Sequence, residues 1–240
     1  MISLILIDCW NTILENSPVW DSLLVQKAYS VFSKHDPSVS YAVWNKAFHQ
    51  EAFDFSQVLA QEMVTLPIED RLRNLGRCAG IDIPESVLGE LCESFEATIL
   101  DPLPQLVNGV EGFLDRARSA HRKLCLVCNT GWFSARAIEK VLRQYKLDTF
   151  LDSAVYSDQV GVAKPSPRMF DAAKEAFGCS SGDTVHIGDN LMTDVMGALY
   201  VGLHAIHFHR HGRCDRRGFW CASNYEEVWD ILTSGLGVGE

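Results

Sequence analysis

The stretch LILIDCWNTIL, Leu4 to Leu14, starts as an uninterrupted apolar run and then turns polar on a carboxylate, Asp8. An apolar run without alternation reads as a strand buried on both faces, as in a parallel sheet. With Ile2 and Ser3 it predicts a strand over 2–7 that delivers Asp8 to its own carboxyl end. Four more apolar runs follow, at 124–128 (LCLVC), 153–156 (SAVY), 184–187 (TVHI) and 203–208 (LHAIHF). Amphipathic helical patterns lie near 110–121, 134–145, 167–177, 191–201 and 225–234. Strands alternating with helices predict a parallel sheet covered on both faces, with its site at the carboxyl ends of the strands. Asp8, Asn129 and Asp189 fall at such ends.

The interval 16–100 has another character. It is helix-patterned throughout and separates the first two strands by far more chain than a crossover needs. It reads as a helical domain of its own, inserted into a core formed by 1–15 and 101–240. The proline-bearing DPLPQLVNGV, Asp101 to Val110, reads as the return linker.

Size and composition bound the function. The chain has 240 residues, 47% of them apolar and 22% charged, which suits a globular protein with a proper core. No apolar run reaches membrane-spanning length, and residues 1–7 are too short for a signal peptide. The net charge of −10 repels nucleic acid and anionic lipid. The eight cysteines are scattered without paired metal-ligand spacing and read as reduced thiols of a cytoplasmic protein.

Four pieces stand in chain order: DCWNT with Asp8, LVCNTG with Asn129 and Thr130, GVAKPSPRMF with Lys164, and HIGDNLMTDVMGA with Asp189 and Asp194. Together they resemble the haloacid dehalogenase superfamily of hydrolases, with a cap inserted between the first and second motifs. The resemblance covers the whole chain and implies a Rossmann-like α/β core, a doubly wound parallel sheet, with a helical cap.

It also implies a Mg²⁺-dependent phosphatase acting on a phosphorylated small metabolite. Asp8 is then the nucleophile that forms an aspartyl-phosphate, and Lys164 offsets charge between it and the transferring group. Asp8, the backbone carbonyl of Trp10 and Asp189 hold Mg²⁺, with Asp194 orienting that shell from outside. Residues 128–130 and Lys164 receive the phosphate. These roles suit the residue types. A carboxylate needs no base to become a nucleophile at neutral pH, and hard oxygen donors suit Mg²⁺. Three carboxylates around one lysine also leave an excess of two negative charges, which a divalent cation neutralises.

Two positions depart from the family pattern. Trp10 stands where its phosphatases carry a second aspartate, the general acid and base. Cys128 stands where a Ser or Thr hydrogen-bonds phosphate, and a thiol is the poorer donor; Thr130 substitutes only if its loop shifts. These departures keep a non-catalytic phosphate-binding protein of the same fold as an alternative. The dehalogenases and phosphonatases of the superfamily also lack an acid at position 10. Its dehalogenases, however, use an early cap arginine, and this chain has none before Arg71. A phosphonatase needs a cap lysine, for which Lys27, Lys34 and Lys46 are the candidates.

HFHRHGRCDRR, His207 to Arg217, could be a metal tract, with His207, His209 and His211 on one face, or a solvated loop. His186 reads as a core histidine satisfied by a neighbour. Trp20, Tyr29, Phe32, Trp44, Phe48, Phe53 and Phe55 read mostly as core of the inserted domain.

Overall fold

A computed structural model describes residues 2–210 and 218–236. The elements run in the order β1 (Leu4–Ile7), α1 (Val19–Phe32), α2 (Tyr41–Glu62), α3 (Ile68–Ala79), α4 (Glu85–Thr98), α5 (Val110–Ser119), β2 (Lys123–Cys128), α6 (Ala135–Gln144), β3 (Ser153–Tyr156), α7 (Ser157–Val160), α8 (Pro167–Glu175), β4 (Thr184–Gly188), α9 (Gly197–Tyr200), β5 (His204–Phe208), β6 (Trp220–Ala222) and α10 (Tyr225–Asp230). The chain divides into two compact units. One holds Met1–Asn16, Gln105–Asn129 and Leu142–Glu240; the other holds Ser17–Pro104 and Thr130–Val141.

The first unit is built on one parallel sheet of order β3-β2-β1-β4-β5-β6. All four residues of β1 are buried, as its unbroken apolar run requires. Leu4 and Leu6 pack on one face with Val127, Phe170, Val195 and Ala198. From β1 the sheet grows in both directions, so the end of β1 is the topological switch point, where such sheets open a crevice. Asp8 is the first residue beyond it.

Three features differ from expectation. The sixth strand, β6, is absent from the five expected: it has only three residues within the short apolar stretch FWCA (219–222), and its first, Trp220, is 41% exposed. The helix expected over 191–201 begins as a wide π-type turn, Leu191–Met196, before α9. In place of eight reduced cysteines, among the described residues six are free and Cys221 is disulfide-bonded. Residues 211–217, which include His211 and most of the arginines of the suspected metal tract, lie outside the described residues. Among the described residues no helix is long and apolar enough to cross a membrane.

The second unit is helical. Trp20, Phe32, Trp44, Phe48 and Phe55 are buried in it as expected, whereas Phe53 is 60% exposed. At its centre Arg71 is 1% exposed and forks onto Glu51, Nε to Oε1 at 2.9 Å and Nη2 to Oε2 at 2.6 Å. Its guanidinium also faces the rings of Trp132 (3.5 Å) and Phe55 (3.9 Å). Trp132 in turn stacks on Phe48 at 4.6 Å. Burial raises the Glu51 carboxyl and lowers the Arg71 guanidinium, each opposed by its partner. Such a pair is hard to break from one side only. Arg71→Met strands the Glu51 charge and is expected to cost the unit about 3–5 kcal/mol. Chemical denaturation followed by circular dichroism checks this, and adding Glu51→Met should recover most of the loss.

Candidate active site

Asp8 follows β1 directly, and its N–H donates to the Ile187 carbonyl at 2.9 Å, which locks it to β4. Because Ile7 pairs with Ile187, Asp8 and Asp189 leave neighbouring strands at the same end. Asp194 joins them because the wide turn after Asn190 lays its carboxylate against Gly188. A Cβ on that glycine would stand 2.4 Å from Asp194 Cγ, so only glycine fits there. Carboxylate oxygens of Asp8, Asp189 and Asp194 lie within 4.8 Å of one another.

Among the described residues, Lys164 is the cation that bridges two of these carboxylates. Its side chain is 1% exposed, and Nζ lies 2.6 Å from both Asp8 Oδ1 and Asp194 Oδ1. Asn129 sets the lysine's backbone: Oδ1 accepts the Lys164 N–H at 2.8 Å and Nδ2 donates to the Lys164 carbonyl at 3.1 Å. Thr12 Oγ1 donates to Asp8 Oδ2 at 3.2 Å, and Tyr225 Oη donates to the Thr12 carbonyl at 2.5 Å. Asn11 holds a left-handed backbone (φ 56°) and donates from Nδ2 to Asp189 Oδ2 at 3.1 Å. Asparagine tolerates that conformation better than most residues. His207 Nε2 lies 2.9 Å from the Asp189 carbonyl, and its ring stacks on His209 at 4.9 Å.

The electrostatics follow from crowding. Burial pushes Asp8 up to about 7; Lys164 pulls it down, and Asp194 and Asp189 push it further up. Asp189 is raised by burial and by Asp194, against its bond from Asn11. Burial also opposes ionisation of Asp194, but Lys164 and His186 outweigh it and hold this carboxyl well below the usual range. Lys164 lies above the ordinary lysine value, because Asp194 and Asp8 overcome the desolvation of its ammonium. Lys164 is thus shared by Asp194 and Asp8, and one ammonium answers three carboxylates, which leaves the cluster with an excess of negative charge. Hard oxygens with that excess fit a divalent cation.

Of the residues named from sequence, Asp8, Lys164, Asp189 and Asp194 come together directly. Asn129 sits beside them with its side-chain amide engaged by the Lys164 backbone. Cys128 is fully buried, and its thiol lies 3.5 Å from the Asn129 carbonyl. Burial and the neighbouring Cys9 raise that thiol well above the ordinary range. Trp10 is partly exposed in the turn after Asp8, and Thr130 is buried in the helical unit. Sequence reasoning missed Thr12, Asn11 and Tyr225. Thr12 lies inside the quoted motif, four residues after Asp8 and one turn back toward it; Tyr225 left no sign.

Comparison with known proteins bears on what such a site does. A 102-residue segment is 32% identical to a glyceraldehyde 3-phosphate phosphatase of Pyrococcus abyssi, covering 42% of this chain and 42% of that protein. A 154-residue segment is 29% identical to the pyrimidine 5'-nucleotidase YjjG of Escherichia coli, covering 60% of this chain and 64% of that one. The chain therefore spans less than two thirds of the length of these relatives. The solved 2-haloacid dehalogenase of Pseudomonas syringae pv. Tomato DC3000 superposes with a TM-score of 0.71 at 18% identity, over 97% of this chain and 99% of that chain, a likeness of fold alone. The family model of haloacid dehalogenase-like hydrolases matches residues 2–202. With its sheet, its switch-point aspartate and that match in agreement, the chain belongs to the haloacid dehalogenase-like hydrolases.

Proposed function

We propose that this hydrolase is a Mg²⁺-dependent phosphatase that takes a phosphoryl group from a small phosphorylated metabolite onto Asp8. The observation that carries the reading is the convergence of three carboxylates on one lysine at the end of β1. Relatives named as a glyceraldehyde 3-phosphate phosphatase and a pyrimidine 5'-nucleotidase support it. Asp8, the Trp10 carbonyl and Asp189 would hold the ion, which when bound neutralises charge on the phosphoryl oxygens. Asp194 would act one step back, as an anchor.

The chain's own residues then divide the work. Lys164 and Thr12 each hold one oxygen of Asp8, so the carboxylate meets phosphorus in a fixed orientation. The Lys164 ammonium, 2.6 Å from Asp8 Oδ1, would offset the charge that builds up as the bond forms. Asn129 fixes the lysine. No carboxylic acid stands at position 10 to protonate the leaving group or to activate water afterwards. Such acid–base help supplies typically 10²–10⁴-fold, or about 3–5 kcal/mol of barrier. Leaving groups that depart without a proton, such as aryl phosphates and acyl phosphates, suffer least from its loss. Six free cysteines among the described residues fit a reducing compartment such as the cytoplasm, whereas the disulfide of Cys221 speaks for an oxidising one.

The test is release of nitrophenol from p-nitrophenyl phosphate. The native chain should turn it over with Mg²⁺ and stop on chelation. Silence across a panel of phosphate esters in excess Mg²⁺ would favour a phosphate-binding protein instead. Trp10→Asp is expected to raise kcat on simple alkyl phosphates at least tenfold and to change the aryl rate much less. A folded Trp10→Asp variant with an unchanged alkyl rate would refute the account of the missing acid.

A further inference from the structure

We propose that His186 is a positioning residue for the phosphoryl-transfer site: its ring, acting as a neutral donor, orients Asp194 and through it Lys164. His186 lies on β4, two residues before Gly188, and is 1% exposed. Its Nε2 is 3.1 Å from Asp194 Oδ1, the same oxygen that receives Lys164 Nζ at 2.6 Å. The N–H of Asn190 donates to Asp194 Oδ2 at 3.0 Å. Asp194 is thus gripped at both oxygens and rests on Gly188 below.

The other ring nitrogen decides how His186 takes part. Nδ1 is buried with no hydrogen-bond partner among the described residues. Facing a carboxylate, Nε2 must carry the proton, so the neutral tautomer leaves Nδ1 as a bare acceptor. A second proton would sit on Nδ1 with no acceptor, in a site where the ring of Phe170 meets the imidazole edge-on, centroids 5.2 Å apart. His186 therefore supplies one donor and no charge. A cation in its place would compete with Lys164 for Asp194. An apolar residue would leave Asp194 Oδ1 to Lys164 alone and free the carboxylate to turn about its Oδ2 bond, carrying the ammonium away from Asp8. A buried, unpaired Nδ1 is a poor choice for stability. Its presence is explained by what Nε2 does.

This inference rests on the proposed phosphatase reading, and its test separates the two. Mg²⁺ affinity of the full chain is measured by calorimetry, alongside thermal melting and turnover of p-nitrophenyl phosphate. The variants are His186→Leu, which removes the donor; His186→Gln, whose terminal amide reaches the Nε2 position; and His186→Asn, which is too short. His186→Leu should lose about 10–100-fold in Mg²⁺ affinity or kcat, while its metal-free melting temperature stays equal or rises. His186→Gln should recover most of that loss and His186→Asn should not. A merely structural histidine would instead lower melting temperature and activity together, with Gln and Asn alike; that result overturns the inference. So does a His186→Leu variant within twofold of wild type in both affinity and kcat. Absence of Mg²⁺ binding and turnover in the wild-type arm refutes the phosphatase reading itself and is visible before any variant is made.

Discussion

Asp8→Asn is expected to bring phosphate-ester turnover down to background, a loss on the order of 10⁵–10⁶-fold for a deleted nucleophile. The amide keeps the size of the side chain; its oxygen can still accept from Lys164 while its NH2 donates to the Thr12 hydroxyl, which can turn to accept, so the loss reads chemistry rather than shape. Stability should move the other way. Burial raises the Asp8 carboxyl to about 7, against Lys164. A folded pKa above the unfolded value means that ionisation disfavours the folded chain. This penalty is absent below about pH 4, grows as pH rises toward 7, and is complete above it. The metal-free variant should therefore melt at or above the wild-type temperature, by more at pH 8 than at pH 4. Residual wild-type turnover in Asp8→Asn, or a variant less stable at pH 8, would count against this account of the site.

Lys164→Met should do damage on both axes. The ammonium is 2.6 Å from two buried carboxylates, so its removal strands both. Breaking a buried pair from one side costs about 3–5 kcal/mol. Turnover should fall by about 10²–10³-fold or more, the range for deleting one preorganised donor at a site of developing charge. Denaturation curves and kcat on the aryl substrate check the two effects separately. A variant of wild-type stability would mean that the carboxylates are compensated by something other than this lysine.

These effects concentrate in few residues because of how the sheet is wired. Apolar strand runs such as LILI and LCLVC announce themselves, since a strand buried on both faces can contain little else. Their order, with helices between, fixes a parallel sheet and places Asp8 and Asp189 at strand ends. That part of the fold was legible for this reason; the motifs also named Asp8, Lys164, Asp189 and Asp194, which the fold brings together. β6 was not, because a three-residue edge strand with an exposed Trp220 has no periodicity to detect. Nor was the π-type turn at 191–196, whose apolar spacing resembles that of an ordinary helix.

The supporting contacts were illegible for a different reason: they depend on side-chain direction, which sequence spacing does not encode. Asn129 was marked as a phosphate contact, and its amide turns out to bridge the Lys164 backbone. His186 was read as a satisfied core histidine; one nitrogen is satisfied, by Asp194, and the other is not. Trp132 gave no sign that it would stack on Phe48 and cover Arg71, and Tyr225 is more than two hundred residues from the Thr12 carbonyl it binds. Motif reading found the groups that carry charge and missed the ones that aim them.

A crystal structure grown in abundant Mg²⁺ with beryllium fluoride as a phosphoryl mimic tests the central claim most directly. The account predicts an ion held by Asp8, the Trp10 carbonyl and Asp189, the beryllium of the mimic joined to an Asp8 oxygen, and Lys164 still within reach of both. Crystals in which that place holds only solvent, with Asp8 unmodified, would contradict it.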